Sequence, residues 1–263
     1  MSKLVEKIKR ASIKTVAPLG FKKQSAEEEV PRVLIIANMS GATQKQAKDI
    51  VESGIDAILL DMNDEEGQEL AKFQKTIGDL PFGFKLSDTF KNDMDKLIDK
   101  GCDFVAFGTT VSINLIDKEK LGKVLIIDRS LTPGMVKAIG DLNMNIDCIL
   151  LDGGRKSIDL ELLLTGHLYK DLLNKPLLVN TESTPSKSEL CELNAAGVRG
   201  LIVPAKTTAS AIHELQKLIA DLPKSIKKKA SSDRPLIPSL SFAAPAEKEE
   251  VEQEEEEDIR ENY

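Results

Sequence analysis

Eight short apolar runs punctuate the chain, and six of the eight residues that directly follow them are polar. In order these residues are Asn38, Asp61, Lys85, Gly108, Asp128, Asp152, Asn180 and Pro204. Three carboxylates, a lysine and two carboxamides in equivalent places form a set that can move protons and hold an anion. Asp61 and Lys85 follow consecutive runs, as do Asp128 and Asp152, so each pair is expected to sit side by side. A lysine and a carboxylate about 4 Å apart attract by roughly 4 kcal/mol at an effective dielectric of 20, before desolvation. That neighbour raises a lysine pKa, so Lys85 is expected to be a permanent cation rather than a Schiff-base nucleophile. It then clamps a substrate carboxylate or stabilises an enolate-like oxyanion. The alternative is an ion pair that only fills space.

Asp128 and Asp152 leave more than one chemistry open. Two carboxylates with water suit a Mg²⁺-type cation, and they equally suit a split into acid and base. The plain alternative is hydrogen bonding to loop amides. Asn38, Asn180 and Arg129 are candidate substrate ligands nearby. Gly153-Gly154-Arg155 follows the sixth run and leads toward a helix. Glycines there expose amides to an anion and Arg155 adds a bidentate contact, unless the stretch is simply a flexible turn. The catalytic candidates are thus Lys85, Asp61, Asp128 and Asp152. The substrate-binding candidates are Asn38, Asn180, Arg129, Gly153, Gly154 and Arg155, and Asp128 with Asp152 are the metal candidates, for Mg²⁺.

Composition removes other chemistries. Two histidines, both within helical patterns, exclude His-based triads and His-rich metal sites. Cys102, Cys148 and Cys191 lie far apart with no CxxC, which fits small core residues in a reducing cytosol. The net charge is −7 over 263 residues. Seven basic and eleven acidic residues follow position 223, leaving 29 basic against 32 acidic before it. A mildly acidic body with ten aromatics and no tryptophan argues against nucleic acid as a partner. The Lys-rich N-terminus lacks a signal-like apolar stretch, and no run is long enough to cross a membrane. A cytoplasmic location is expected.

The elements that must position these residues follow from the runs. Val33–Ala37, Ala57–Leu60, Phe82–Phe84, Phe104–Phe107, Val124–Ile127, Cys148–Leu151, Leu177–Val179 and Leu201–Val203 are too short for helices and rich in Ile, Val, Leu and Phe. Amphipathic stretches separate them, such as Phe90, Met94, Leu97 and Ile98. Apolar strands alternating with such helices predict parallel strands covered by helices. The even runs share a lead-in: Gly54-Ile55-Asp56, Gly101-Cys102-Asp103, Asn145-Ile146-Asp147 and Gly197-Val198-Arg199. There Gly or Asn supplies a left-handed cap. Helices after the odd runs are expected to begin near Thr43, Asp88, Thr132-Pro133 and Thr184-Pro185. The unit is βαβα, taken four times, with no run that reads as an edge strand.

From about Arg32 to Leu222 this pattern resembles the TIM-barrel fold family, an α/β fold of eight strands and eight helices. The resemblance implies a site at the C-terminal ends of the strands and leaves the reaction open. The expected organisation is an N-terminal helix and lead-in over 1–31, the barrel over 32–223, and a basic-then-acidic tail over 224–263. Leu4, Val5 and Ile8 mark the helix as a plug for the barrel's bottom. The tail is expected to be disordered with an acidic C-terminus, around one apolar segment, Leu236–Phe242, as a protein-partner element. Two function classes follow. One is a lyase or isomerase acting on a small carboxylated or phosphorylated metabolite. The other is a non-catalytic barrel that serves as scaffold or adaptor through its tail.

Overall fold

The computed structural model describes residues 2–12, 33–61, 73, 75–88, 94–116, 118–142, 144–152 and 158–222. Each apolar run is a strand: β1 Leu34–Asn38, β2 Ala57–Asp61, β3 Phe82–Lys85, β4 Phe104–Phe107, β5 Gly122–Asp128, β6 Cys148–Asp152, β7 Leu177–Asn180 and β8 Val198–Pro204. All are parallel, each pairs with the next, and β8 closes on β1 through Leu34↔Gly200 to Asn38↔Pro204. Closure removes every free edge, so strands buried on both faces carry the unbroken Ile, Val and Leu runs. Helices bounded among the described residues are α1 Lys3–Ser12, α2 Gln44–Glu52, α3 Met94–Asp99, α4 Ile113–Ile116, α5 Pro133–Gly140, α6 Leu160–Leu173, α7 Lys187–Ala195 and α8 Ala209–Ala220. The chain folds as the (β/α)8 barrel that the repeat predicts.

Side chains alternate across each strand, and the two series build two cores. Ile35, Ile58, Phe84, Val105, Ile127, Ile149, Val179 and Val203 face the helices. Leu34, Ile36, Leu59, Phe104, Val124, Leu150, Leu178 and Ile202 fill the barrel interior. Gly83 belongs to the interior series because a Cβ there would meet Phe104 O at 2.3 Å and its ring at 2.5 Å. No alanine fits without moving β4.

The bottom of the barrel is sealed. Leu4 and Ile8 of α1 are fully buried and join the interior core, as their spacing predicts. Asp103 fixes this plug: its carboxylate accepts from Ser2 Oγ at 2.7 Å, Lys3 N at 2.7 Å and Leu4 N at 2.9 Å. It therefore caps α1 from a hundred residues away, where the helix's own N-H groups lack partners.

Local expectations fare unevenly. Thr43 and Thr132 are the N-caps of α2 and α5, with Pro133 at N1. α7 starts later than Thr184-Pro185, because Ser186 and Glu189 form a reciprocal capping box. Asp88 lies in a turn, residues 89–93 lie outside the described residues, and the helix is described from Met94. Gly54, Gly101 and Gly197 are left-handed at φ +82, +90 and +90, but Asn145 is not. Among the described residues Asn174, the C-cap of α6, is the non-glycine that takes this conformation. β5 and β8 extend beyond their apolar runs, β8 with an irregularity opposite Leu177/Leu178. The tail, including Leu236–Phe242, lies outside the described residues.

Candidate functional site

Six strands end on the polar residues singled out above: Asn38, Asp61, Lys85, Asp128, Asp152 and Asn180. Since the strands are parallel, all six lie at the C-terminal end. Each stands two places beyond an interior position: Ile36, Leu59, Gly83, Ile126, Leu150 and Leu178 respectively. They thus continue the inward-facing series and crown the apolar interior with charge.

Lys85 is where the expected pairing changes. Asp61 and Lys85 are register partners, and so are Asp128 and Asp152. Yet Lys85 Nζ lies 3.8 Å from Asp152 Oδ2, reaching across three strand steps, and pairs there rather than with Asp61. A four-carbon stem spans the mouth, whereas reasoning from strand neighbours follows only the backbone. Asn180 Nδ2 donates to the other oxygen, Asp152 Oδ1, at 3.3 Å. Lys85, Asp152 and Asn180 form one cluster. At 3.8 Å the ammonium is an ion partner rather than a hydrogen-bonded one, so its donors stay available. The two side chains are 41% and 38% exposed, and pairs so wet contribute about 0–1 kcal/mol. Folding stability does not account for this lysine.

Asp61 has the opposite environment. Its Oδ1 is buried and has no hydrogen-bond partner among the described residues. Leaving a buried acceptor unmade costs about 1–3 kcal/mol, more when it is charged, and such groups call for an explanation beyond the fold.

The remaining candidates divide. Asp128 is exposed and its Oδ1 accepts from Ser130 N at 2.9 Å, the plain loop-amide role. Asn38 Oδ1 likewise accepts from Ser40 N and Ser40 Oγ, at 2.9 and 2.6 Å. Arg129 does not face the mouth: one step past Asp128, it turns outward and is 8% exposed. Its Nη1 donates to both oxygens of Asp159 at 2.9 and 3.2 Å, and Asp159 caps α6 through Leu162 N. Its role is to hold the start of α6. Gly153, Gly154 and Arg155 lie outside the described residues. For the Mg²⁺ reading, Asp152's two oxygens face an ammonium at 3.8 Å and an amide at 3.3 Å. Among the described residues no group of three His, Cys, Asp or Glu could hold a metal.

Two contributors carry no motif. A Cβ on Gly108 would meet only Thr110 Oγ1, at 3.8 Å, and Ile126, on the adjacent strand and facing inward, is only partly buried. The missing side chain leaves space beside Ile126, one strand from both Lys85 and Asp128. Tyr169 of α6 is buried with its hydroxyl 3.2 Å from Asp128 O and 3.4 Å from Leu131 O, so it tethers the loop after β5. Burial, and then the Asp128 charge, raise its pKa and keep it a donor.

At the opposite end, polar residues are spent on structure. Asp56 accepts from Ile35 N at 2.9 Å and Asp147 from Lys123 N at 3.0 Å. Burial raises the Asp56 pKa although that bond and Lys7 oppose it. Arg199 binds Asn194 Oδ1 at 2.8 Å. Burial also pushes the Cys102 thiol up to about 12, and Cys148 rises for the same reason; neither is poised to react. His167 and His213 sit on the outer helices, exposed, as expected. A cleft of about 930 Å³ opens at this bottom end, between α1 and the residues that lead into β5, β6 and β7.

No family model matches the sequence, and no curated protein does. Solved structures match the fold. A protein of Aquifex aeolicus VF5 is 15% identical with a TM-score of 0.54, covering 83% of this chain and 96% of its own. A ligand-free tryptophan synthase of M. tuberculosis is 12% identical with a TM-score of 0.52, covering 84% and 98%. A mutant tryptophan synthase alpha-subunit of Pyrococcus furiosus is 12% identical with a TM-score of 0.51, covering 72% and 97%. At such identities the likeness shows the barrel fold. No helix among the described residues is long and apolar enough to cross a membrane.

Proposed function

We propose that the chain is an enzyme of lyase or isomerase type, acting on a small carboxylated or phosphorylated carbonyl compound at the C-terminal mouth of the barrel. The observation that carries this reading is the half-exposed Lys85–Asp152 pair beside Asp61. Stability explains neither the loose ion pair nor the carboxylate oxygen left without a donor. The fold neighbours include structures named as tryptophan synthase, which agrees with catalysis on this scaffold.

In this reading the space beside Ile126 takes the carbon skeleton, and Lys85 meets the substrate's oxygen. Asp61 is the base: it takes a proton from the carbon next to a carbonyl. The electron pair of that C–H bond moves into the carbonyl, and the charge arriving on its oxygen is stabilised by the Lys85 ammonium. Where that carbon bears a hydroxyl, Asp128 passes the hydroxyl proton to the oxyanion, and Asp61 returns its proton to the former carbonyl carbon, which completes an isomerisation. In the lyase variant Asp61 takes the proton of a β-hydroxyl, the oxygen forms a second carbonyl that leaves with its carbon, and the C–C electron pair moves into the first carbonyl as an enolate on Lys85, which Asp61 then protonates. Asp152 and Asn180 hold the ammonium in place, and Asp128 serves as the second acid or base. The adaptor reading rests on Leu236–Phe242, and the charged residues at the strand ends favour the enzyme.

The test is proton exchange in D₂O, followed by NMR, on pyruvate, 2-oxobutyrate and dihydroxyacetone phosphate. The reading expects protein-dependent deuterium uptake at the carbon beside the carbonyl of at least one compound. Asp61→Asn should lower it by about 100-fold or more, within the range for a positioned base. Lys85→Met should lower both binding and exchange. Background rates with every compound, or a rate unchanged in Asp61→Asn, contradict the reading.

A further inference from the structure

The cleft at the bottom of the barrel plays no part in the chemistry of the mouth. At about 930 Å³ it is of the size of small-molecule sites. Its lining sets Lys9, Lys123 and Lys175 against Glu119 and Asp147, a net charge of +1. Asp147 is already engaged, since its Oδ2 accepts from Lys123 N at 3.0 Å. Lys9 and Lys175 make no hydrogen bond or ion pair among the described residues. By contrast Lys7, on the same helix as Lys9, donates to Asp56 O at 2.9 Å. The two idle ammonium groups come from different walls, α1 and the turn before β7, and act on one point. Burial and then Asp147 raise the pKa of Cys148, which lines the cleft, and Lys9 and Lys175 both oppose them.

Lys175 also borders a second space. A side pocket of about 70 Å³ shares Met144, Asn145, Ile146 and Lys175 with the cleft. The rest of its lining is Gly140 and four aliphatic side chains, among them Leu142, an apolar residue left 51% exposed. Such a pocket holds a few heavy atoms and no more. We propose that cleft and side pocket together form a second binding site, for a small aliphatic monocarboxylate whose head meets Lys9 and Lys175 and whose hydrocarbon end enters the side pocket. One negative charge matches the net +1, and Asn145 and Asn174, both exposed in the cleft, add amide donors for the head. The site is independent of the mouth. Pyruvate, with a single methyl, and phosphate, with a second charge, fit it poorly.

Titration of the full chain with sodium 4-methylpentanoate, followed by amide chemical shifts, tests this. Saturable shifts should centre on Lys9, Asn145, Asn174 and Lys175, and be the same in Lys85→Met, where the mouth has lost its cation. Each methylene withdrawn from water strengthens binding about fourfold. Acetate, which lacks the hydrocarbon end, and 4-methylpentan-1-ol, which lacks the charge, should therefore both bind about tenfold more weakly or worse. Lys175→Met should weaken 4-methylpentanoate about tenfold, and Lys175→Arg should restore it. A Cβ on Gly140 meets Leu173 Cδ2 at an ordinary 3.6 Å, so Gly140→Ala should fold, narrow the side pocket and bring 4-methylpentanoate down toward acetate. No saturable shift at these amides, or shifts centred on Asp61, Lys85 and Asp152 and lost in Lys85→Met, overturns the proposal. So does an alcohol that binds as well as the acid, or wild-type affinity in Lys175→Met or in Gly140→Ala.

Discussion

Gly108 shapes the mouth by what it lacks. A Cβ there meets only Thr110 Oγ1, at an ordinary 3.8 Å, so Gly108→Leu should leave the melting temperature within a few degrees, in keeping with a substitution that strains little. It should fill the space beside Ile126 and abolish exchange activity and ligand-induced thermal shifts. A Gly108→Leu protein that works as well as wild type would place the chemistry elsewhere. At this scale the sequence was informative about position and misleading about pairing, since strand neighbours point to Asp61 as the partner of Lys85. Lys85, Asp152 and Asn180 were legible because each directly follows an apolar run. That Lys85 crosses to Asp152 was not, since its reach depends on barrel closure and rotamer. Arg129, next to Asp128, shows the limit of proximity in sequence: one residue further along a strand means the other face. Tyr169 had no signal beyond being an aromatic within an apolar helix.

Elements were the most legible level, because eight buried parallel strands must each be written as an unbroken apolar run. The polar lead-ins were legible as a repeat, but not their use. Asp56, Asp103 and Asp147 each accept backbone N-H groups of a neighbouring element, a long-range device that no local spacing reveals. Helix starts were harder wherever two caps compete, as before α7. There Glu189 Oε2 accepts from Ser186 N at 2.7 Å. This bond, with the Ser186 hydroxyl second, holds the Glu189 carboxyl below its ordinary range. A depressed carboxyl stabilises the fold above its unfolded pKa, and that contribution is lost as pH falls through the folded value. Ser186→Ala should therefore cost about 1 kcal/mol near neutral pH, a drop of about 2–4 °C in melting temperature. The gap to wild type should narrow as pH falls below the glutamate range. A gap that is constant down to acid pH would mean the box contributes through the serine alone.

Across the whole molecule the two ends of the barrel are built to different purposes. At the bottom, α1 plugs the interior and the polar residues there carry structural bonds. At the top, a lysine sits in a loose ion pair, a carboxylate oxygen lacks a donor, and a glycine leaves space. Ligand binding at the top is the central claim, and the 930 Å³ cleft at the bottom is its natural rival. Amide chemical-shift mapping of the full chain, titrated with pyruvate and with inorganic phosphate, separates the two directly. Binding at the top should give saturable shifts centred on Asp61, Lys85, Gly108, Asp128, Asp152 and Asn180, lost in Lys85→Met. Shifts centred instead on Lys9, Lys123 and Lys175, unchanged in Lys85→Met, would contradict it.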